Sequence, residues 1–130
     1  MGKTSPQTVV LDTGALIAFE RGDAKMRALV REALKARARL VIPAGVLGQA
    51  WRAPARQVPL RALVKMPTTV VPSLDQILAE AAGILCGRAG SSDVIDASVV
   101  LVARQERAVV VTSDAGDLRR LDPSLAIEPI

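Results

Sequence analysis

Short apolar runs alternate along the chain with stretches in which apolar residues recur every three to four positions. "TVVL" (8–11), "RLVIP" (39–43), "TTVV" (68–71) and the apolar part of "AVVVTSD" (108–114) are rich in β-branched residues and too short for helices. Runs of this kind predict strands buried on both faces. The intervening pattern is helical. "TGALIAFE" follows Asp12, and residues 24–38 place Met26, Leu29, Val30, Ala33 and Leu34 on one stripe with Asp23 as N-cap. "AGVLGQAWR" and "VPLRALVKM" predict two short helices. "SLDQ" (73–76) reads as a capping box opening a helix whose stripe is Leu74, Ile77, Leu78, Ala81, Ala82 and Leu85. After a loop at "GRAGSS" (87–92), a helix over 93–106 turns Ile95, Val99 and Val102 to the core; "AGDLRRL" is a last short helix before a tail. Strands alternating with helices predict an α/β sandwich with a parallel sheet covered on both faces. There are no repeats, low-complexity segments or linkers, so residues 1–130 form one domain, long enough to bury its own core.

The acids fall at meaningful places in this pattern. Functional sites of open α/β sheets lie beyond the carboxyl ends of the strands. Asp12 and Asp114 each follow a strand, while Asp93 and Asp96 head a crossover helix whose N-terminus lies at that same edge. Each has an ordinary alternative: Asp12 caps "TGALIA", Asp93 caps its helix with Asp96 as partner, and Asp114 or Asp117 caps the last helix. Their convergence is harder to explain by capping. Two carboxylates about 4 Å apart repel by about 4 kcal/mol at an effective dielectric of about 20. Such a cluster is tolerated when a cation sits among its members or when protons are taken up. The chain has no histidine and one cysteine, so histidine-based triads and zinc sites are excluded. An all-oxygen donor set points to Mg²⁺ or Mn²⁺, which activates water and stabilises charge on a phosphate.

Composition adds a partner class. Half the residues are hydrophobic and the mean hydropathy is +0.31, yet no apolar run approaches a membrane span. "MGKTSPQTVVL" is not a signal peptide and misses the myristoylation pattern, and its "GKT" lacks the strand and glycine of a phosphate-binding loop. With the lone Cys86, this fits a reducing cytoplasm. Residues 21–65 hold eleven Lys/Arg against Asp23 and Glu32, while the rest holds six basic residues against eleven acids. A basic half beside an acidic site suggests that one part holds a polyanion and the other processes it. Arg27, Arg31 and Lys35, four residues apart on a helix face, are candidate contacts to a phosphate backbone, although a solvated face is the simpler alternative. Phe19 and Trp51 are the only aromatics, too few for base stacking to dominate.

"VVLDTGALIAFERGD", "VIPAGVLGQAWR" and "DVIDASVVLVARQERAVVVTSDAGDL" together resemble the PIN-domain ribonucleases, specifically the VapC-type toxins of bacterial toxin–antitoxin pairs. The resemblance spans essentially the whole chain in the family's order. It implies a PIN-like three-layer α/β/α sandwich with a central, mostly parallel sheet. It further implies a Mg²⁺- or Mn²⁺-dependent endoribonuclease, inhibited by a small cognate antitoxin and usually a homodimer. Carried over, Asp12, Asp96 and Asp114 are the catalytic acids and metal ligands. Asp93 and Asp117 are accessory acids, and Thr112 or Ser113 would hold a carboxylate or phosphate by hydrogen bonding. One position departs from the pattern: the family's glutamate after the second strand is Gln49 here, a weaker oxygen ligand with no charge. Two alternatives stand beside the ribonuclease. One is a PIN-like domain that binds RNA or a partner without cleaving. The other is a phosphohydrolase with an aspartyl nucleophile, which would want a second acid where Gly14 stands.

Overall fold

The computed structural model describes residues 7–130. The sequence reading of residues 1–6, including the "GKT" echo, lies outside the described residues. Five strands form one sheet in the order β3-β2-β1-β4-β5, every pairing parallel. They are β1 (Thr8–Leu11), β2 (Arg39–Val41), β3 (Thr69–Val70), β4 (Val109–Thr112) and β5 (Ile127–Pro129). The helices are α1 (Thr13–Glu20), α2 (Ala24–Lys35), α3 (Ala44–Ala50), α4 (Val58–Val64), α5 (Gln76–Ala89), α6 (Val94–Glu106) and α7 (Ala115–Leu121), with a 3₁₀ turn at Pro54–Arg56. This is the α/β sandwich with a parallel sheet expected from the sequence. The sheet is wholly parallel.

β1 and β4 lie at the centre, so Val10, Leu11, Val110 and Val111 are buried, which is why these strands read as unbroken apolar runs. α6 is buried on several sides, between the sheet and α5, and hides Ala97, Ser98, Val99, Val100, Val102 and Ala103. The Ser98 hydroxyl satisfies itself on the Ile95 carbonyl at 2.6 Å.

Four local expectations are corrected. The N-cap of α5 is Asp75, whose carboxylate accepts from Leu78 N at 2.9 Å; Ser73 is not the cap, because a charged acceptor suits the positive end of a helix better than a hydroxyl. Ile77 faces outward, 81% exposed, and the helix runs through Ala89, into what was expected to be loop, before Gly90 ends it in the left-handed conformation. α2 stops at Lys35, short of residue 38, and leaves Leu34 exposed. The tail is not featureless: β5 adds an edge strand beside β4, tolerating Pro129 as edges do.

Candidate functional site

The strand order places a switch point at β1: the chain steps outward through β2 and β3, then crosses to β4 on the other side. The crevice outside the carboxyl ends of β1 and β4 is where such sheets bind ligands. Asp12 is the first residue past β1, and Asp114 the second past β4. α6 begins at the same edge with Asp93 and Asp96.

Asp12 is buried and caps α1, with Oδ1 accepting from Ala15 N at 2.9 Å. Burial pushes its carboxyl above the usual range, the Asp114 charge adds to that, and hydrogen bonds from the Thr112 hydroxyl and the backbone oppose it. The wholly buried Thr112 also accepts from Asp114 N at 2.8 Å, so one side chain fixes both strand-end acids. Asp114 occupies the N-cap position of α7, but its exposed carboxylate makes no capping bond. Asp117, in the first turn of α7, is raised by its hydrogen bond to the Asp114 side chain and then by that residue's charge. Asp93 does cap α6, accepting from Asp96 N at 2.9 Å. Asp96 itself, half-buried, is pushed up to about 7 by burial and then by the charges of Asp93, Asp12, Asp117 and Asp114. The capping reading therefore holds for Asp12 and Asp93 and fails for Asp114 and Asp96.

Two glycines allow this convergence. A Cβ on Gly14 would collide with the Ser113 side chain, so the first turn of α1 lies directly against the β4–α7 loop. A Cβ on Gly45 would collide with Ile95, so α3 starts against the residue preceding Asp96. One turn further along α3, the Gln49 amide oxygen accepts from the Thr13 hydroxyl at 2.5 Å, beside Asp12. Thr13 escaped the sequence reading because its partner is 36 positions away and no local pattern links them.

The basic stripe does not join this cluster as a unit. α2 runs antiparallel to the strands: Lys25 Nζ meets Pro129 O at 2.7 Å near the carboxyl edge, and the helix ends just before β2 begins. Arg27 lies beside Gly22 near the start of α2, whereas Lys35, paired with Glu32 at 3.6 Å, is at the far end. Eight residues of helix separate them by about 12 Å.

Among the described residues no three acids already stand as a formed metal site. What fits a hard divalent cation is the donor chemistry: carboxylates from three elements, mutually repelling, with an amide and hydroxyls beside them and no ion pair among the described residues to neutralise them.

The PIN domain family model matches residues 9–122. Among solved structures, VapBC2 from Rickettsia felis bound to a DNA fragment from its promoter is similar at a TM-score of 0.70 and 16% identity, over 95% of this chain and 99% of that one. VapBC-1 from nontypeable Haemophilus influenzae gives 0.68 and 16%, over 95% and 98%. VapC20 of Mycobacterium tuberculosis, a toxin that cleaves the sarcin-ricin loop, gives 0.62 and 20%, over 78% and 86%. At these identities the likeness is one of fold. No curated protein gave a significant match.

Proposed function

The chain belongs to the PIN-domain family, and on that premise we propose that it is a Mg²⁺- or Mn²⁺-dependent endoribonuclease. In this proposal it is the toxin of a type II toxin–antitoxin pair, held inactive by a small cognate antitoxin. The observation that carries the reading is Asp96, half-buried at the switch point among four other acids from three elements: burial first, and then their charges, raise its pKa to about 7. A folded protein that assembles so much unneutralised negative charge is built to receive positive charge. Asp12, Asp96 and Asp114 are the proposed ligands. A divalent ion held there would lower the pKa of a water and offset charge on the scissile phosphate.

The chain's own side chains do the rest. The Thr112 hydroxyl and the Ala15 amide favour the charged form of Asp12 against its burial. Thr112 also anchors the backbone at Asp114. Gln49 approaches from α3 as a neutral oxygen donor, with Asp93 supplying a charge the glutamine lacks. Arg27 is the member of the basic stripe nearest the site for an RNA backbone. VapBC and FitAB structures of the same fold support an antitoxin partner. The exposed Ile77 and Ile84, two turns apart on one face of α5, support self-association as a homodimer. No helix among the described residues is long and apolar enough to cross a membrane, and the buried thiol Cys86 supports a cytoplasmic setting.

One second reading has specific support. Gln49 in place of a glutamate favours a domain that holds RNA without cutting it. The aspartyl-nucleophile phosphohydrolase does not: Gly14 stands where its second acid would be. The test is RNA cleavage in Mn²⁺, repeated with EDTA and with Asp96→Asn. Cleavage lost in both controls is the expected result. Cleavage by the variant at the wild-type rate overturns the assignment, and RNA binding without turnover selects the second reading.

A further inference from the structure

Gln57 is 4% exposed, lies in no motif, and uses its whole amide. Its Oε1 accepts from Arg52 N at 2.7 Å and Ala53 N at 2.9 Å. Its Nε2 donates to Glu20 Oε2 at 2.7 Å and to Ala50 O at 2.8 Å. Two donors and two acceptors meet it in an arrangement only one amide orientation satisfies. The clasp thus joins the end of α3, the α3–α4 connection and the end of α1. Arg52 reinforces it, since Nη1 reaches Gly48 O at 3.1 Å and Trp51 O at 2.7 Å and closes the last turn of α3.

α3 is consequently fastened to α1 at both ends of α1. Gln49 meets Thr13 next to Asp12, and Gln57 meets Glu20 at the other end. The start of α3 is set against Ile95, the neighbour of Asp96. The seat of α3 therefore fixes one wall of the acid crevice, and the exposed Arg52 and Arg56 follow Gln49 by three and seven residues along the chain. Arg56 makes no ion pair among the described residues.

We propose that Gln57 is a positioning residue for RNA: by clasping α1, α3 and the α3–α4 connection, it fixes Arg52 and Arg56, as contacts to a phosphate backbone, in relation to the α3 residues beside the acids. The proposal rests on the ribonuclease reading only for its turnover measurement. Binding tests it separately.

The experiment compares wild type, Gln57→Leu, Glu20→Leu and Glu20→Gln at a temperature where all are folded by circular dichroism. A fluorescein-labelled RNA stem-loop reports affinity, and the same RNA with Mn²⁺ reports turnover. Gln57→Leu raises both Kd and KM by about tenfold with kcat within about twofold, as a small misplacement of a binding wall does. Glu20→Leu, which breaks one bond of four and spares the fold if Gln57→Leu does not, gives a smaller rise. Glu20→Gln restores wild-type values, because its amide oxygen still accepts from Gln57. Hydrogen exchange at the Arg52 and Ala53 amides accelerates in Gln57→Leu. Unchanged Kd and KM with faster exchange would make the clasp purely structural and overturn the proposal. If wild type binds RNA but cleaves none, the ribonuclease reading falls while the Kd series still decides the role of Gln57. If wild type binds no RNA, both fall.

Discussion

The two edges of the sheet treat their carboxylates in opposite ways. At the amino edge, Asp122 receives Arg104 Nε at 2.9 Å and both the amide and hydroxyl of Ser124, at 2.9 and 2.7 Å. Those bonds, led by Ser124, hold its carboxyl below the usual range. Glu106 meets Arg39 at 2.8 Å on the same edge. At the carboxyl edge, Asp12, Asp93, Asp96, Asp114 and Asp117 face one another, with no ion pair among the described residues. The same residue type thus closes the fold at one edge and strains it at the other. The amino edge shows that this chain can pair its acids. Leaving Asp96, Asp114 and Asp117 with neither a cap nor an ion pair at the switch point is a cost that architecture does not require, and strain of that kind belongs to a site.

The largest expected effect falls on activity at the carboxyl edge. Asp96→Asn lowers kcat for RNA cleavage by at least about a hundredfold, the scale of losing a main electrostatic contributor, while circular dichroism stays native. Asp122→Asn leaves kcat of the folded protein within about twofold and costs about 1–2 kcal/mol in denaturant unfolding, since it breaks a charge-assisted pair whose arginine is half-exposed. Equal activity losses for the two variants would erase the distinction between the edges.

Next comes pH. In the ion-free folded protein Asp96 keeps its proton up to about 7, whereas unfolded it releases it near 3.8. Its stabilising contribution is therefore complete below 3.8 and is lost as pH rises towards 7. Asp122 runs the other way. Its folded value is depressed, so its contribution is present above 3.8 and disappears as pH falls below it. Urea midpoints between these limits should slope downward with pH in wild type and more weakly in Asp96→Asn. Parallel slopes would mean that Asp96 does not carry a raised pKa.

A smaller effect is expected at Gln49. Gln49→Glu adds a carboxylate beside Thr13 and should tighten Mn²⁺ binding by about tenfold or less, with more cleavage at low metal. Identical titrations for the glutamate, alanine and wild-type proteins would place Gln49 outside the site. The smallest effect is at the α2 stripe: neutralising Arg27, Arg31 and Lys35 together should lower the salt slope of RNA binding by about one, from Arg27 alone. A loss of about three would show that the whole helix face lies on RNA.

These contrasts also mark what the chain reveals on inspection. β1 and β4 were legible because burial on both faces forces unbroken apolar runs, and the acids stand at their ends. The placement of Asp12, Asp96 and Asp114 at one edge followed from the direction of parallel strands and of the crossover helix between them, without any contact being known. β5 escaped because an edge strand holding Glu128 and Pro129 needs no apolar run. The α5 cap was misplaced by two residues because both Ser73 and Asp75 satisfy capping rules, and only the carboxylate was used. Gln57 was invisible: its partners come from α1, the end of α3 and the turn after it, and a glutamine in a loop carries no pattern.

The most direct test of the central claim is a calorimetric titration of Mn²⁺ into wild type, Asp122→Asn and Asp96→Asn, at a pH one unit or so above the raised Asp96 value so that its proton does not compete. Wild type and Asp122→Asn should bind with the same affinity, and Asp96→Asn at least about tenfold more weakly. Equal binding by all three proteins, or binding by none, would contradict the assignment of the unpaired carboxyl-edge acids as a cation site.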